Sequence, residues 1–197
     1  MNHEQVIDLL LQSLEHERGG IQVYETALEC VQNDDLREEF EKYLEETRNH
    51  EQVLLGLCEA LEIDPETETP GREIVRTVGG SLVEAMKKAK AAGKPDAAEI
   101  VACECVVLAE TKDHLNWELI GQLADAGKGD AVEALQEAYD EVEDQEDEHL
   151  YHSKGWCREL WLQALGLKAQ LPPPEERKHV KTAIGAARAE QARKGKN

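Results

Sequence analysis

The chain has few aromatic residues and little positive charge. Aromatic residues make up 4% of its 197 positions, and Ala, Leu, Glu, Lys and Gln dominate the remainder, which is typical of helices rather than strands. Acidic residues outnumber basic ones by 42 to 22, and the formal charge of −20 repels a nucleic-acid backbone and attracts cations. Acidic side chains also solvate long helices, so the charge supports a metal site without requiring one. The composition predicts an all-α protein with no nucleic-acid partner.

Long apolar runs, a signal-peptide pattern and paired cysteines are also missing. No stretch approaches the roughly 18 apolar residues of a membrane helix, which predicts a soluble protein with no membrane partner. The five cysteines are odd in number, form no C-x-x-C pair and are scattered through predicted helices. These features favour the reducing environment of the cytoplasm.

Hydrophobic periodicity and breaker residues predict five helices. The first carries an apolar stripe at alternating spacings of four and three, is interrupted by Glu17 and is expected to stop near "QNDD". Its stripe comprises Val6, Leu10, Leu14, Ile21, Tyr24, Leu28 and Val31. The other helices are predicted over residues 35–62, 72–92, 97–126 and 130–165. The breakers between them are "DPETETPGR", Gly93 with Pro95, and the glycine-rich "DAGKGD".

Two short links and one long connection describe a four-helix bundle with ferritin-type connectivity. The connection, residues 63–96, contains the short helix and forms a crossover between the second and third bundle helices. We expect a single bundle domain over residues 1–166. Residues 167–197 form a proline break and a basic tail, of which 175–197 carries seven basic and three acidic residues. This tail either folds back on the acidic bundle or remains solvated.

The chain also contains an internal repeat of one helical hairpin. Aligning the first two bundle helices with the last two makes Glu17 equivalent to Glu110, and His50 equivalent to His149. Each of these residues interrupts an apolar stripe, where an isolated charge costs on the order of several kcal/mol unless it is paired or binds a metal. The stripes of both glutamates contain no basic residue that would supply a salt bridge. Four interruptions at one depth therefore predict a shared cation.

These residues resemble the ferritin-like superfamily of carboxylate-bridged di-metal proteins, which includes bacterioferritins and rubrerythrins. In that family two helices each provide one Glu and the other two each provide Glu-x-x-His. Glu146 and His149 in "EDEH" fit the paired motif, and Glu17 and Glu110 fit the single positions. The resemblance covers roughly residues 3–163.

The second helix departs from the family pattern. Thr47 stands three residues before His50, where the family has Glu, and the nearest substitute is Glu46 in "ETRNH". The similar "ETKDH" adds His114 below Glu110, as an extra ligand or as a partner of a ligand. Glu46 can equally lie on a solvated face, and His114 can be a core histidine satisfied by hydrogen bonds. The predicted metal ligands are Glu17, Glu46, His50, Glu110, His114, Glu146 and His149.

Carboxylates with two histidines suit Fe(II) or Mn(II) better than Zn(II). The resemblance implies two such metals per chain and an oxidase, peroxidase or ferroxidase that acts on O2, peroxide or Fe(II), and it allows a homodimer. The two methionines offer no haem ligand in the bundle, and without paired C-x-x-C motifs the chain is not a complete rubrerythrin. The alternative is a non-enzymatic helical stress or metal-binding protein, in which Thr47 reflects a mononuclear or lost site. An inward Glu46 favours two metals, and an outward one favours a single metal.

Overall fold

The computed structural model describes residues 2–171 and Pro174, and these residues form five helices and no strand. The helices are α1 (His3–Leu28), α2 (Asp34–Ala60), α3 (Pro70–Ala91), α4 (Pro95–Ala126) and α5 (Asp130–Ala164). The all-α prediction is confirmed, and the bounds predicted for the last four helices agree to within two residues. No helix of the described chain has the length and apolar character needed to cross a bilayer.

The first helix ends earlier than its apolar stripe predicted. It stops at Leu28, although Val31 is buried as that stripe required. The reason is tertiary: one oxygen of Glu99, from α4, accepts hydrogen bonds from the backbone N–H groups of Gln32 (2.9 Å) and Asn33 (2.8 Å). These bonds satisfy the loop donors, so the backbone loses no hydrogen bonds by leaving the helix.

The remaining helix ends follow local chemistry that the sequence predicts. The Asn33 side chain caps α2 by accepting a hydrogen bond from the N–H of Leu36 at 3.0 Å. Thr69 caps α3, which has proline at its first position. α5 ends at Ala164 and is followed by Gly166 at φ 68°, a conformation that favours glycine. The predicted basic tail, residues 175–197, lies outside the described residues.

Four of the helices contact each other in a closed ring. α1 packs on α2 and α4, and α5 packs on α2 and α4. Neighbours run antiparallel, because the hydrogen bonds of Tyr24 to Glu110 and of Trp117 to Glu17 run in opposite order along α1 and α4. The helix outside the ring, α3, packs on α1 and α4. Its buried Arg72 donates to Glu15 of α1 at 2.8 Å, which holds the start of α3 in place.

The buried apolar residues form two clusters, with polar side chains between them. One cluster includes Val23, Tyr24, Phe40, Met86, Val106 and Trp156. The other includes Leu10, Leu14, Leu54, Trp117, Ile120 and Val142. Each helix of the ring contributes to both clusters, and buried acids or histidines occupy the intervening stretch. The sequence pattern therefore places a polar layer at one depth of an otherwise apolar interior.

Candidate metal centre

Five of the seven predicted ligands meet in this polar layer. Glu17 comes from α1, His50 from α2 and Glu110 from α4, and α5 provides both Glu146 and His149 at a spacing of three residues. His50 Nδ1 lies 3.0 Å from Glu146 Oε1 and 3.8 Å from Glu17 Oε1. His149 Nδ1 lies 3.6 Å from the same Glu146 oxygen and 3.7 Å from Glu110 Oε2. All five side chains are buried.

The side-chain atoms that face one another in this group have no hydrogen-bond partner. They are Glu17 Oε2, His50 Nδ1, Glu110 Oε2, both oxygens of Glu146 and His149 Nδ1. The 3.0 Å contact of His50 with Glu146 is close, but its orientation makes no hydrogen bond. A buried polar atom without a partner costs about 1–3 kcal/mol, and such atoms are rare in folded proteins. Six in one place fit the presence of bound cations.

Both histidines are oriented by a hydrogen bond from the far side of the ring. His50 Nε2–H donates to Gln145 Oε1 at 2.7 Å, and His149 Nε2–H donates to Glu46 Oε2 at 3.0 Å. Because an amide or carboxylate oxygen can only accept, a neutral ring in this arrangement carries no proton on Nδ1. Burial also lowers the pKa of His149 to about 4, which keeps the ring neutral. Both Nδ1 lone pairs are thus available to a metal.

The two single glutamates are oriented in the same reciprocal way. Trp117 Nε1 of α4 donates to Glu17 Oε1 of α1 at 2.9 Å, and the Tyr24 hydroxyl of α1 donates to Glu110 Oε1 of α4 at 2.6 Å. The repeat makes Tyr24 equivalent to Trp117, so these two bonds are one interaction made twice. Each bond occupies one carboxylate oxygen and leaves the other facing the centre.

The structure corrects the positions expected for Glu46 and His114. Glu46 does not replace the missing glutamate, because its carboxylate lies against the outer nitrogen of His149 and 3.5 Å from Lys42 Nζ. His114 lies outside the group as well, with Nε2 donating to Asp147 Oδ1 at 2.7 Å. A spacing of four residues places a side chain near its partner on the helix surface, but the helix rotation turned both residues away from the centre.

Asp113 joins the centre although the sequence analysis overlooked it. It is buried, its Oδ1 has no partner, and it forms a group with Glu17 and Glu146. The signal was present in "ETKDH", where Asp113 follows Glu110 by three residues, the same spacing as Glu146 and His149. The predicted ligand in this segment was instead His114, one residue further along.

The position of the missing glutamate is filled by a small side chain. Thr47 is buried, and its methyl group would lie 3.2 Å from a Cβ atom on Gly20 of α1, so the two helices approach closely at this point. In the repeat, Thr47 is equivalent to Glu146 and Gly20 to Asp113. The second hairpin therefore carries two carboxylates where the first carries none.

Crowding of these acids raises their pKa values. Burial is the largest cause for Glu17, Glu110 and Glu146, and each pKa lies well above its usual value. The next causes are the charge of Asp113 beside Glu17 and Glu146, and the charge of Glu146 beside Glu110. Negative charge held together without water favours a cation as counter-ion.

Two overlapping sets of buried side chains can each hold a metal ion. One set is His50, Glu146 and His149, and the other is Glu17, Asp113 and Glu146. In each set, one ligand atom per residue lies within 4.8 Å of the others. Glu146 belongs to both sets, which makes it the central residue of the site.

Comparisons of the chain with protein families, with curated proteins and with solved structures find no match.

Proposed function

We propose that the protein is a ferritin-like di-metal oxidoreductase that binds two Fe or Mn ions and acts on O2, peroxide or Fe(II). The observation that carries the proposal is the group of six buried, unpartnered ligand atoms on five side chains from four helices. Carboxylates and imidazoles in this proportion suit Fe(II) and Mn(II). A ferritin-like ligand set of this kind lies at the middle of its helices, as this one does.

The arrangement of the helices supports the proposed fold. The closed ring of α1, α2, α4 and α5 corresponds to a four-helix bundle, and α3 belongs to the connection from α2 to α4. We propose that this connection is the helical crossover of ferritin-type connectivity.

Glu146 would be shared by the two metals. Its Oε1 lies between the two imidazoles, 3.0 Å from His50 Nδ1 and 3.6 Å from His149 Nδ1. We assign one metal to His50, Glu146 and His149 and the other to Glu17, Asp113 and Glu146, with Glu110 beside His149. Bound Fe or Mn would supply the electrons that reduce O2 or peroxide.

The protein's own residues prepare this site in three ways. Gln145 and Glu46 hold the imidazoles in the ligating tautomer, and Trp117 and Tyr24 each fix the carboxylate of one single glutamate by a hydrogen bond. The apolar clusters on either side of the layer exclude bulk water. The two sets of hydrogen bonds hold the ligands in place before any metal arrives, which reduces the reorganisation that binding needs.

A second candidate is a non-enzymatic protein with a single metal. The observation in its favour is Thr47, which occupies the place of the second Glu-x-x-His glutamate while Glu46 faces outward. The same side chains would then form one site around Glu146. Metal stoichiometry separates the two proposals.

The experiment is metal analysis of protein purified from cells supplied with iron and manganese, followed by O2 uptake after anaerobic loading with Fe(II). We expect two metals per chain, and faster Fe(II) oxidation than by a His50→Ala/His149→Ala variant that is folded by circular dichroism. One metal per chain and no O2 uptake above that of the variant would favour the single-metal protein. A wild-type protein that binds neither metal and gains no thermal stability from them would refute both candidates.

A further inference from the structure

A surface pocket leads from solvent to the candidate metal centre. It has a volume of about 250 Å³ and lies between α4 and α5. Its lining combines the exposed side chains of Glu118 and Glu143 with the buried side chains of Trp117 and Glu146. Because Glu146 belongs to the layer between the two apolar clusters and Trp117 donates a hydrogen bond to Glu17 in that layer, the pocket connects the surface to the centre.

The inner end of this pocket is an unpartnered carboxylate. Glu146 is only 2% exposed, and neither of its oxygens has a hydrogen-bond partner. A buried acid without donors in the wall of an accessible pocket is a point at which an entering cation would be bound.

The outer part of the pocket is acidic. The side chains of Glu118 and Asp147 are 53% and 38% exposed, Glu143 is exposed, and His114 Nε2–H fixes the Asp147 carboxylate by donating to it at 2.7 Å. No lysine or arginine of the described chain lines the pocket. A cleft lined by charge of one sign concentrates the opposite charge and raises association rates by about 10- to 1,000-fold.

The other half of the repeat carries different side chains at the equivalent place. Glu143 is equivalent to Leu44, which is buried, and Asp147 is equivalent to Arg48, which binds Glu25 at 2.9 Å. The first hairpin thus presents an apolar plug and a positive charge where the second presents two carboxylates. Helix packing alone does not require this difference, since the two hairpins occupy equivalent places in the ring of four helices.

We propose that the pocket between α4 and α5 is the entry route for divalent cations, in which Glu118, Glu143 and Asp147 hold an incoming Fe(II) or Mn(II) ion before it passes to Glu146. This inference rests on the proposed function, because it needs a metal site at the inner end of the pocket. Glu118, Glu143 and Asp147 bind the ion only while it enters, so they control the rate of metal loading and leave the final amount of bound metal unchanged.

The test measures how fast the metal-free protein takes up Co(II), whose visible absorption changes when its ligands change, in a stopped-flow instrument at low salt. Wild type is compared with the triple variant Glu118→Gln/Glu143→Gln/Asp147→Asn. We expect loading of the variant to be about tenfold slower or more, with unchanged stoichiometry. The difference should shrink at high salt, because ions screen exposed charges.

The matched control is Glu25→Gln/Glu41→Gln/Glu45→Gln, which removes the same charge from exposed acids on the first hairpin. Its loading rate should equal that of wild type. A second variant, Glu143→Leu, copies the apolar plug of the first hairpin and should also slow loading without changing the final amount bound, in protein shown to be folded by circular dichroism.

Three results would overturn the entry route alone while wild type still binds Co(II). The first is that the triple variant or Glu143→Leu takes up Co(II) at the wild-type rate. The second is that the control variant is slowed as much as the triple variant. The third is that the triple variant binds less Co(II) at the end point, which would make Glu118, Glu143 and Asp147 ligands. A wild-type protein that binds no Co(II) would overturn the proposed function and, with it, the entry route.

Discussion

Two buried acidic residues of this protein have opposite surroundings. Glu39 of α2 accepts hydrogen bonds from the Tyr43 hydroxyl at 2.5 Å, from His152 Nδ1 at 2.8 Å and from Trp156 Nε1. Glu146 of α5 is equally buried, and neither of its oxygens has a hydrogen-bond partner. The fold is therefore able to supply donors to a buried carboxylate. Their absence around Glu146 is what the proposed role of this residue as a metal ligand requires.

The same contrast appears between the two hairpins of the repeat. Each provides one glutamate and one histidine, held by equivalent outer hydrogen bonds. The second adds Asp113 and Glu146, and it carries the pocket between α4 and α5. The two hairpins thus share one frame, but most of the carboxylates of the centre lie on the second.

Replacing Glu146 should have the largest effect on metal binding. Glu146→Gln removes the residue that both ligand sets share, so we expect Mn(II) affinity to fall by more than about 100-fold, beyond the effect of losing an outer partner. The free energy of unfolding of the metal-free variant should be about 1–3 kcal/mol higher than that of wild type, because the cost of burying Glu146 as a charged group, or of protonating it, has gone. Calorimetric titration and urea denaturation measure the two quantities. An unchanged affinity would contradict the role of Glu146.

Replacing Glu39 should give the reverse pattern. Glu39→Leu removes the acceptor that Tyr43, His152 and Trp156 share, which costs about 1–3 kcal/mol for each donor that finds no other acceptor. Metal affinity should change by less than about tenfold, the lower bound for an outer partner of a ligand. The same titration and denaturation provide the comparison with Glu146→Gln. Stability equal to wild type would show that Glu39 is no structural acid.

Replacing the residues that accept hydrogen bonds from the outer nitrogens of the histidines should have an intermediate effect on metal affinity. His149 donates to the charged Glu46, whereas His50 donates to the neutral Gln145. Glu46→Gln keeps the hydrogen bond but removes the charge that makes the imidazole more basic, so Mn(II) affinity should fall by about 10- to 100-fold. The matched variant Gln145→Glu should raise the affinity. Equal affinities of Glu46→Gln and wild type would instead assign Glu46 to the solvated face.

Metal affinity should depend on pH through the same carboxylates. Burial raises the pKa values of Glu17, Glu110 and Glu146, so metal entering the folded protein displaces their protons. Affinity should rise about tenfold per pH unit for each proton displaced. His149, with its pKa lowered to about 4, contributes no proton above pH 6.5. Potentiometric titration should detect fewer released protons for Glu146→Gln than for wild type.

The metal-free protein should respond to pH in the opposite sense. The raised carboxyl pKa values mean that the folded state binds protons more tightly than the unfolded chain, so stability falls as pH rises above 4.5 towards those raised values. Between pH 6.5 and about 4, the lowered pKa of His149 acts against this trend. Urea denaturation above pH 6.5 therefore measures the trend without the contribution of His149. A stability that rises with pH in this range would contradict the raised carboxyl pKa values.

The sequence singled out the five side chains that meet in the polar layer. Four of them interrupt apolar stripes and are paired by the repeat, and Glu146 follows from the Glu-x-x-His resemblance. A stripe reports which side of a helix is buried, and Glu17, His50, Glu110 and His149 needed only that information. Glu46, His114 and Asp113 lie near the edge of the buried side, where a change of one residue moves a side chain by about 100° around the helix. The spacing of these residues along the sequence could not decide which of them faces the centre.

By itself, the sequence determined five amphipathic helices, their ends to within a few residues and a polar layer at one depth. It could do so because helical periodicity and turn chemistry act over short distances along the chain. Only the tertiary structure decided that Asp113 joins the centre while Glu46 and His114 stay outside, that Glu39 is satisfied while Glu146 is not, and that one hairpin opens to solvent. Those outcomes depend on how helices rotate against one another, which is set by the packing of all of them together.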